Sequence, residues 1–218
     1  MPALPTITTF AWVPEFARGF VRDIRVRWAC EEVGQRYEVK LIRDAKAPEH
    51  RRFQPFGQVP TYADEQGEIF ESGAIALHIA ERGTGLLPDD PAARARATQW
   101  VIAALNSVEP WVMQIGVVNL FEADKPWSAM RRDKVEADLH GRLADLAAAL
   151  DDKTWLDGDT FTVGDLMMVS VLGQLRNTDM LARHPNLADY VARGEARPAH
   201  RKAMADHLAA YADAPAAA

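Results

Sequence analysis

The pair Val59-Pro60 heads the strand-like run Thr61–Ala63, and eleven residues after that proline comes Glu71, followed by Ser72, where a helix begins. An X–Pro bond has a cis penalty of only about 0.5–1 kcal/mol, so its surroundings can fix the cis form. A cis Val59–Pro60 bond at a strand entrance would turn the N–H and C=O of Val59 away from ladder partners and toward an extended peptide. A helix start offers free N–H groups and a positive partial charge, which suits a carboxylate. Ser72 adds a hydroxyl donor there, and Glu71 could hold an ammonium group. Together these residues predict a site for a short peptide with an α-amino acid head. Each part also has a plainer use, Ser72 as a helix cap and Pro60 as an edge device. Their spacing inside one small α/β unit is what joins them.

That unit is read from the first 80 or so residues. Thr6–Trp12 is β-branched and aromatic and predicts a strand. Asp23–Val33 has helical spacing, with Gly34 as its C-terminal cap. Tyr37–Ile42 predicts a second strand, and 55–57 is loop chemistry. Val59–Ala63 and Glu68–Phe70 bracket a turn at Glu65-Gln66-Gly67 and read as a hairpin. Gly73–Glu81 closes the unit as a helix. The order β-α-β, loop, β-β-α requires a right-handed parallel crossover through the first helix, with antiparallel strands added at the end.

Beyond Gly83 the pattern changes. Glycine, two prolines and two aspartates make 83–95 a linker, and from Ala93 strand signals vanish. Val135, Leu139, Leu143, Leu146 and Leu150 recur at helical spacing. Val163–Leu175 is apolar on nearly every side and predicts a buried helix. Thr162 with Asp165 three residues on makes a reciprocal cap for it, aspartate standing where glutamate is more usual. The tail 214–218 reads as disordered, and no internal repeat is visible.

The 218 residues carry a net charge of −6, which argues against a nucleic-acid or anionic-membrane surface. Cys30 has no second cysteine to pair with, so a reducing compartment fits, and its helical setting suits packing. The start, MPALPTITTF, lacks the basic-then-apolar pattern of a signal peptide. No window is expected to approach the roughly 20 apolar residues that span a bilayer. These readings place the chain in the cytoplasm.

Six segments in order resemble the glutathione transferase superfamily, of the cytosolic, bacterial type. RVRWACEEVGQRYE is similar to its first helix and second strand, PFGQVP to the cis-proline loop, and FESGAIALHIAER to the helix bearing Glu and Ser. LNSVEPWV resembles the start of the helical domain, FTVGDLMM its buried-helix capping box, and HPNLADYVARGEARPAHRKAM its closing helices. The resemblance implies an α/β plus all-α fold: a thioredoxin-like, glutathione-binding domain over residues 1–83, a linker over 84–93, and a helical domain over 94–218 with the acceptor-substrate pocket. It implies a homodimer and a role in detoxification. Glutathione, the peptide with the shape deduced above, would be bound as co-substrate by Val59 (main chain), Pro60, Glu71 and Ser72. Gln58 stands where the family places a side chain near the glycyl carboxylate. Arg51 and Arg52, in the preceding loop, could attract that carboxylate or simply be solvated.

The match breaks at the group that stabilises the sulfur anion. A free thiol titrates near pH 8.5, so a transferase needs a hydroxyl, a main-chain N–H or a cation beside it. Most relatives place Tyr, Ser or Cys shortly after the first strand, but Phe10–Trp28 contains no Ser, Thr, Tyr or Cys. Phe16 or Val21 takes the hydroxyl's place. The substitutes are Arg18 or Arg22, a main-chain N–H near the first helix, or Thr9 late in the strand. Trp12, Asn106 and Trp111 are candidates for the acceptor pocket. No Cys/His spacing suits a metal and no glycine-rich loop suits a nucleotide, so no metal site is expected. The leading expectation is a transferase joining reduced glutathione to a small apolar electrophile. The alternatives are a glutathione-dependent peroxidase or reductase and a binding protein that has lost the reaction.

Overall fold

The computed structural model describes residues 3–212, and the tail 214–218 lies outside the described residues. The contacts divide the chain into two units, residues 3–87 with 196–212, and Pro88–Glu195.

In the first unit β1 (Thr6–Phe10), α1 (Asp23–Glu32) and β2 (Glu38–Ile42) form a parallel crossover, followed by α2 (Pro48–Arg51), β3 (Thr61–Asp64), β4 (Gly67–Phe70) and α3 (Ser72–Arg82). The sheet order is β2-β1-β3-β4, with β1 parallel to β2 and both other pairs antiparallel. This is the expected thioredoxin-like arrangement. β1 stops at Phe10 rather than Trp12 because Ile42, its last partner, ends β2. β3 starts at Thr61 rather than Val59; Pro60 has no N–H to give a ladder. The sequence reading missed α2, a single turn opened by Pro48. Gly34 caps α1 as expected: at φ 68 it lets Gln35 N–H reach Cys30 C=O and its own N–H reach Glu31 C=O.

Every residue of Asp23–Cys30 is buried, because α1 packs against β1, α3 and a returning C-terminal helix, α9 (Pro198–Ala209). Trp28 meets the His200 ring edge-on at 4.6 Å, and Arg197 grips Glu32 with two bonds of 2.6 and 2.7 Å. By packing, then, α9 joins the first unit, although the sequence reading grouped it with the helical domain. Local patterning carries no sign of a helix that returns to the far side of α1.

The second unit holds α4 (Pro91–Ala103), α5 (Glu109–Gly116), α6 (Pro126–Leu150), α7 (Val163–Leu172) and α8 (Pro185–Glu195). α4 and α5 form one continuous helix, Pro91–Phe121, with π-helical turns at Ala104–Val108 and Val117–Phe121. Its 31 residues, with mean hydropathy 1.4 in the best window, correct the expectation that no window approaches membrane-spanning length. The apolarity has a packing cause: Ala97, Val101, Ala104, Val108, Val112, Ile115 and Val118 are buried at helical spacing. α4 crosses α7 closely at Gly164, where a Cβ would stand 2.6 Å from Trp100 Cβ and 2.9 Å from Ala97 O. The predicted cap of α7 is present. Thr162 Oγ1 accepts from Gly164 N–H, and Asp165 accepts from Thr162 N–H at 2.9 Å.

Candidate functional site

The register fixes where the two dipeptides meet. Thr61 lies opposite Phe70, so the next residues outward, Pro60 with Glu71 and Val59 with Ser72, leave the hairpin at the same end. Thr61 also faces Thr8, which brings the loop after β1 out at that end. The crevice beyond the carboxyl end of a parallel pair is the usual binding place in open α/β sheets.

The Val59–Pro60 bond is cis. Among the described residues neither the N–H nor the C=O of half-buried Val59 takes a hydrogen bond. The preceding residue is held from behind. Gln58 C=O accepts from His50 Nε2 at 2.7 Å, which puts the ring proton on that nitrogen, and Gln58 N–H donates to Gln54 Oε1 at 3.2 Å. His50 and Gln54 are both buried, while the Gln58 side chain is exposed. Arg51 and Arg52, expected in a loop, instead end and cap α2, and both are exposed.

Glu71 has φ 71 and ψ 114, a conformation an L-residue rarely adopts. Such a residue costs on the order of 1–3 kcal/mol and collects at functional sites. Its side chain is exposed at the mouth of α3. Ser72, the first residue of α3, is buried, yet its hydroxyl does not cap the helix; it accepts from Arg25 Nη1 at 3.1 Å. Among the described residues no side chain accepts from the first-turn N–H groups of α3, and α1 packs beside this helix. Arg25 was not among the predicted site residues. Nothing in the run RVRW marks one arginine as facing inward, and only the burial of α1 reveals it.

The loop into α1 carries Arg18 and Arg22. Arg18 is half-buried with Nε unpartnered among the described residues, and Arg22 occupies the N-cap position of α1. The loop is anchored at Gly19, whose N–H donates to His207 Nε2 at 3.2 Å. His207 Nδ1 then faces the Asp23 carboxylate at 3.2 Å, and Arg27 Nε donates to the same carboxylate at 2.7 Å. Burial alone would raise the Asp23 pKa, but His207 and Arg27 hold it below the ordinary carboxylate range. Phe16 is exposed and Val21 half-buried, and neither side chain can donate. Thr9 is wholly buried in β1. Burial pushes the Cys30 thiol up to about 12, a packing residue as expected. Trp12 is exposed just beyond β1.

In the second unit Asn106 is exposed within the first π-helical turn. Trp111 lines a cleft of about 350 Å³ with Pro110, Gln114, Arg131, Val135 and Asp138, and Asn106 does not reach it. Among the described residues no group of three or more His, Cys, Asp or Glu could hold a metal.

The model for the glutathione S-transferase N-terminal domain matches residues 16–81, and that for the C-terminal domain residues 129–193. Glutathione S-transferase F11 of Arabidopsis thaliana is 30% identical over 77% of this chain and 82% of its own length. The chain belongs to the glutathione S-transferase family. It is also 27% identical to the disulfide-bond oxidoreductase YfcG of Escherichia coli, over 72% of the chain and 76% of that protein. A glutathione transferase of Burkholderia graminis, solved with two glutathione molecules per subunit, matches with TM-score 0.81 at 24% identity, over 92% of this chain and 87% of that one. Ure2p, solved in complex with glutathione, matches with TM-score 0.77 at 22% identity over 93% of each chain. At these identities the structural likeness shows the fold alone.

Proposed function

We propose that this family member binds reduced glutathione in the crevice at Val59–Pro60 and Glu71–Ser72 and promotes attack of its thiolate on a small apolar electrophile. The observation that carries the reading is the convergence of Val59's unengaged main-chain groups with the uncapped N-terminus of α3. An extended cysteinyl main chain would pair with Val59 as an added strand. The γ-glutamyl carboxylate would lie at Ser72 and the first-turn N–H groups, its ammonium at Glu71, and Gln58 would face the glycyl end. For the thiolate, Arg18 and Arg22 supply positive charge from the loop that enters α1. Rate gain would come from a lowered thiol pKa and from holding both reactants together. The reading includes a cytoplasmic homodimer with a detoxifying role, as the family resemblance implies.

A second reading, a glutathione-binding protein without conjugating activity, is favoured by the absence of any Ser, Thr, Tyr or Cys between Phe10 and Trp28. A reductase working through its own thiol is disfavoured by the burial of Cys30. Calorimetry with reduced glutathione followed by conjugation of an aryl halide decides between them. Binding with turnover supports the transferase, binding without turnover on a panel of halides leaves the carrier, and no binding removes both.

A further inference from the structure

We infer that Arg25 is a positioning residue that makes Ser72 a donor committed to a carboxylate, so that it selects for the γ-glutamyl end of the ligand; this rests on the glutathione reading above. A serine hydroxyl has one proton to give and two lone pairs to receive. A serine at the N-cap ordinarily turns its oxygen to the helix's own N–H groups. Here Glu71 holds the N-cap without a side-chain bond, and Ser72, the first helical residue, accepts from Arg25 Nη1. Receiving from a guanidinium fixes the lone pair inward and leaves the O–H to point away from Arg25.

Charge sharpens the choice. Arg25 is 2% exposed, so its field at Ser72 is little screened by water. A hydroxyl that accepts from a cation is polarised into a stronger donor, and beside the positive end of α3 it suits an anion and disfavours an ammonium or a second donor. Arg25 does not touch the ligand in this scheme. It sets the direction and strength of the group that does, from a helix distant in sequence.

The test compares glutathione with 4-aminobutanoyl-cysteinyl-glycine, which lacks only the γ-glutamyl α-carboxylate. The parent should prefer glutathione by about 30-fold or more in calorimetric Kd, since hydrogen bonds to charged groups are the strong ones. Arg25→Gln should cut that preference to about threefold by weakening glutathione while leaving the analogue's affinity unchanged, and Arg25→Lys should restore part of it. Ser72→Ala should lose the preference to the same extent, with no further loss in the double variant. A purely structural role would weaken both ligands alike. If Arg25→Gln fails to fold, Arg25→Lys and Ser72→Ala carry the comparison. A parent-like preference in the folded Arg25 variants, or equal weakening of both ligands, overturns the inference. A parent that binds no glutathione refutes instead the function on which it rests.

Discussion

Replacing Asp23 by Asn removes one negative charge from the most deeply buried ionic cluster of the first unit. Asp23 and His207 are 0% exposed and Arg27 2%, and the Arg27 Nε–Oδ2 distance is 2.7 Å. The amide keeps an acceptor for His207 but leaves the Arg27 guanidinium without its countercharge. Removing one partner of a buried pair costs about 3–5 kcal/mol, a large share of the roughly 5–15 kcal/mol that holds a domain together. With a urea slope of about 2 kcal/mol per M, the unfolding midpoint should fall by about 1.5–2.5 M at pH 7, followed by circular dichroism. Arg27→Met added to Asp23→Asn should recover most of the loss. The sign with pH follows from the depressed Asp23 pKa. Its contribution is complete above the unfolded value near 4 and is lost as pH falls through the lower folded value. The gap between parent and Asp23→Asn should therefore close on acidification. A midpoint shift below about 0.5 M, at the slope used above, or a gap that widens as pH falls, would refute the reasoning.

Glu71→Gly should raise stability by about 1 kcal/mol, because glycine accepts φ 71 freely, while glutathione affinity falls about tenfold; thermal melts and calorimetry read the two effects. Stabilisation without loss of affinity would remove Glu71 from the site. Arg18→Ala and Arg22→Ala should raise the pKa of the bound thiol, seen as thiolate absorbance at 240 nm against pH, roughly one unit for a lost neighbouring cation. Parent-like titration in both would discard the arginines. Asp165→Ala strands the buried donors Leu156 N–H and Thr162 N–H and removes one of the two bonds from Tyr190 OH, and should cost about 3–5 kcal/mol in denaturant unfolding.

Much of the site was legible because it rests on residues that act locally. A proline before a strand, a Ser at a helix start and a Thr-x-x-Asp cap declare themselves through short-range stereochemistry, and all three stand where they were expected. Arg25 and His207 were not legible. The charged residues of a helix face outward by default, and no spacing within 23–30 marks Asp23, Arg25 and Arg27 as internal. They are buried because a third layer, α9, covers the side of α1 that the sheet leaves open. The same long return moved residues 196–212 out of the helical unit.

By itself, then, the order of residues determined the strands and helices of the first unit apart from α2, the caps of α1 and α7, the β-α-β-β-α connection and the pairing of Val59-Pro60 with Glu71-Ser72, since each depends on neighbours within a few positions or on hairpin register. Tertiary structure alone decided which charges go inside. Burial of an arginine or aspartate is affordable only when partners from remote segments arrive together, Ser72 for Arg25 and His207 for Asp23, and no spacing along the chain encodes that meeting.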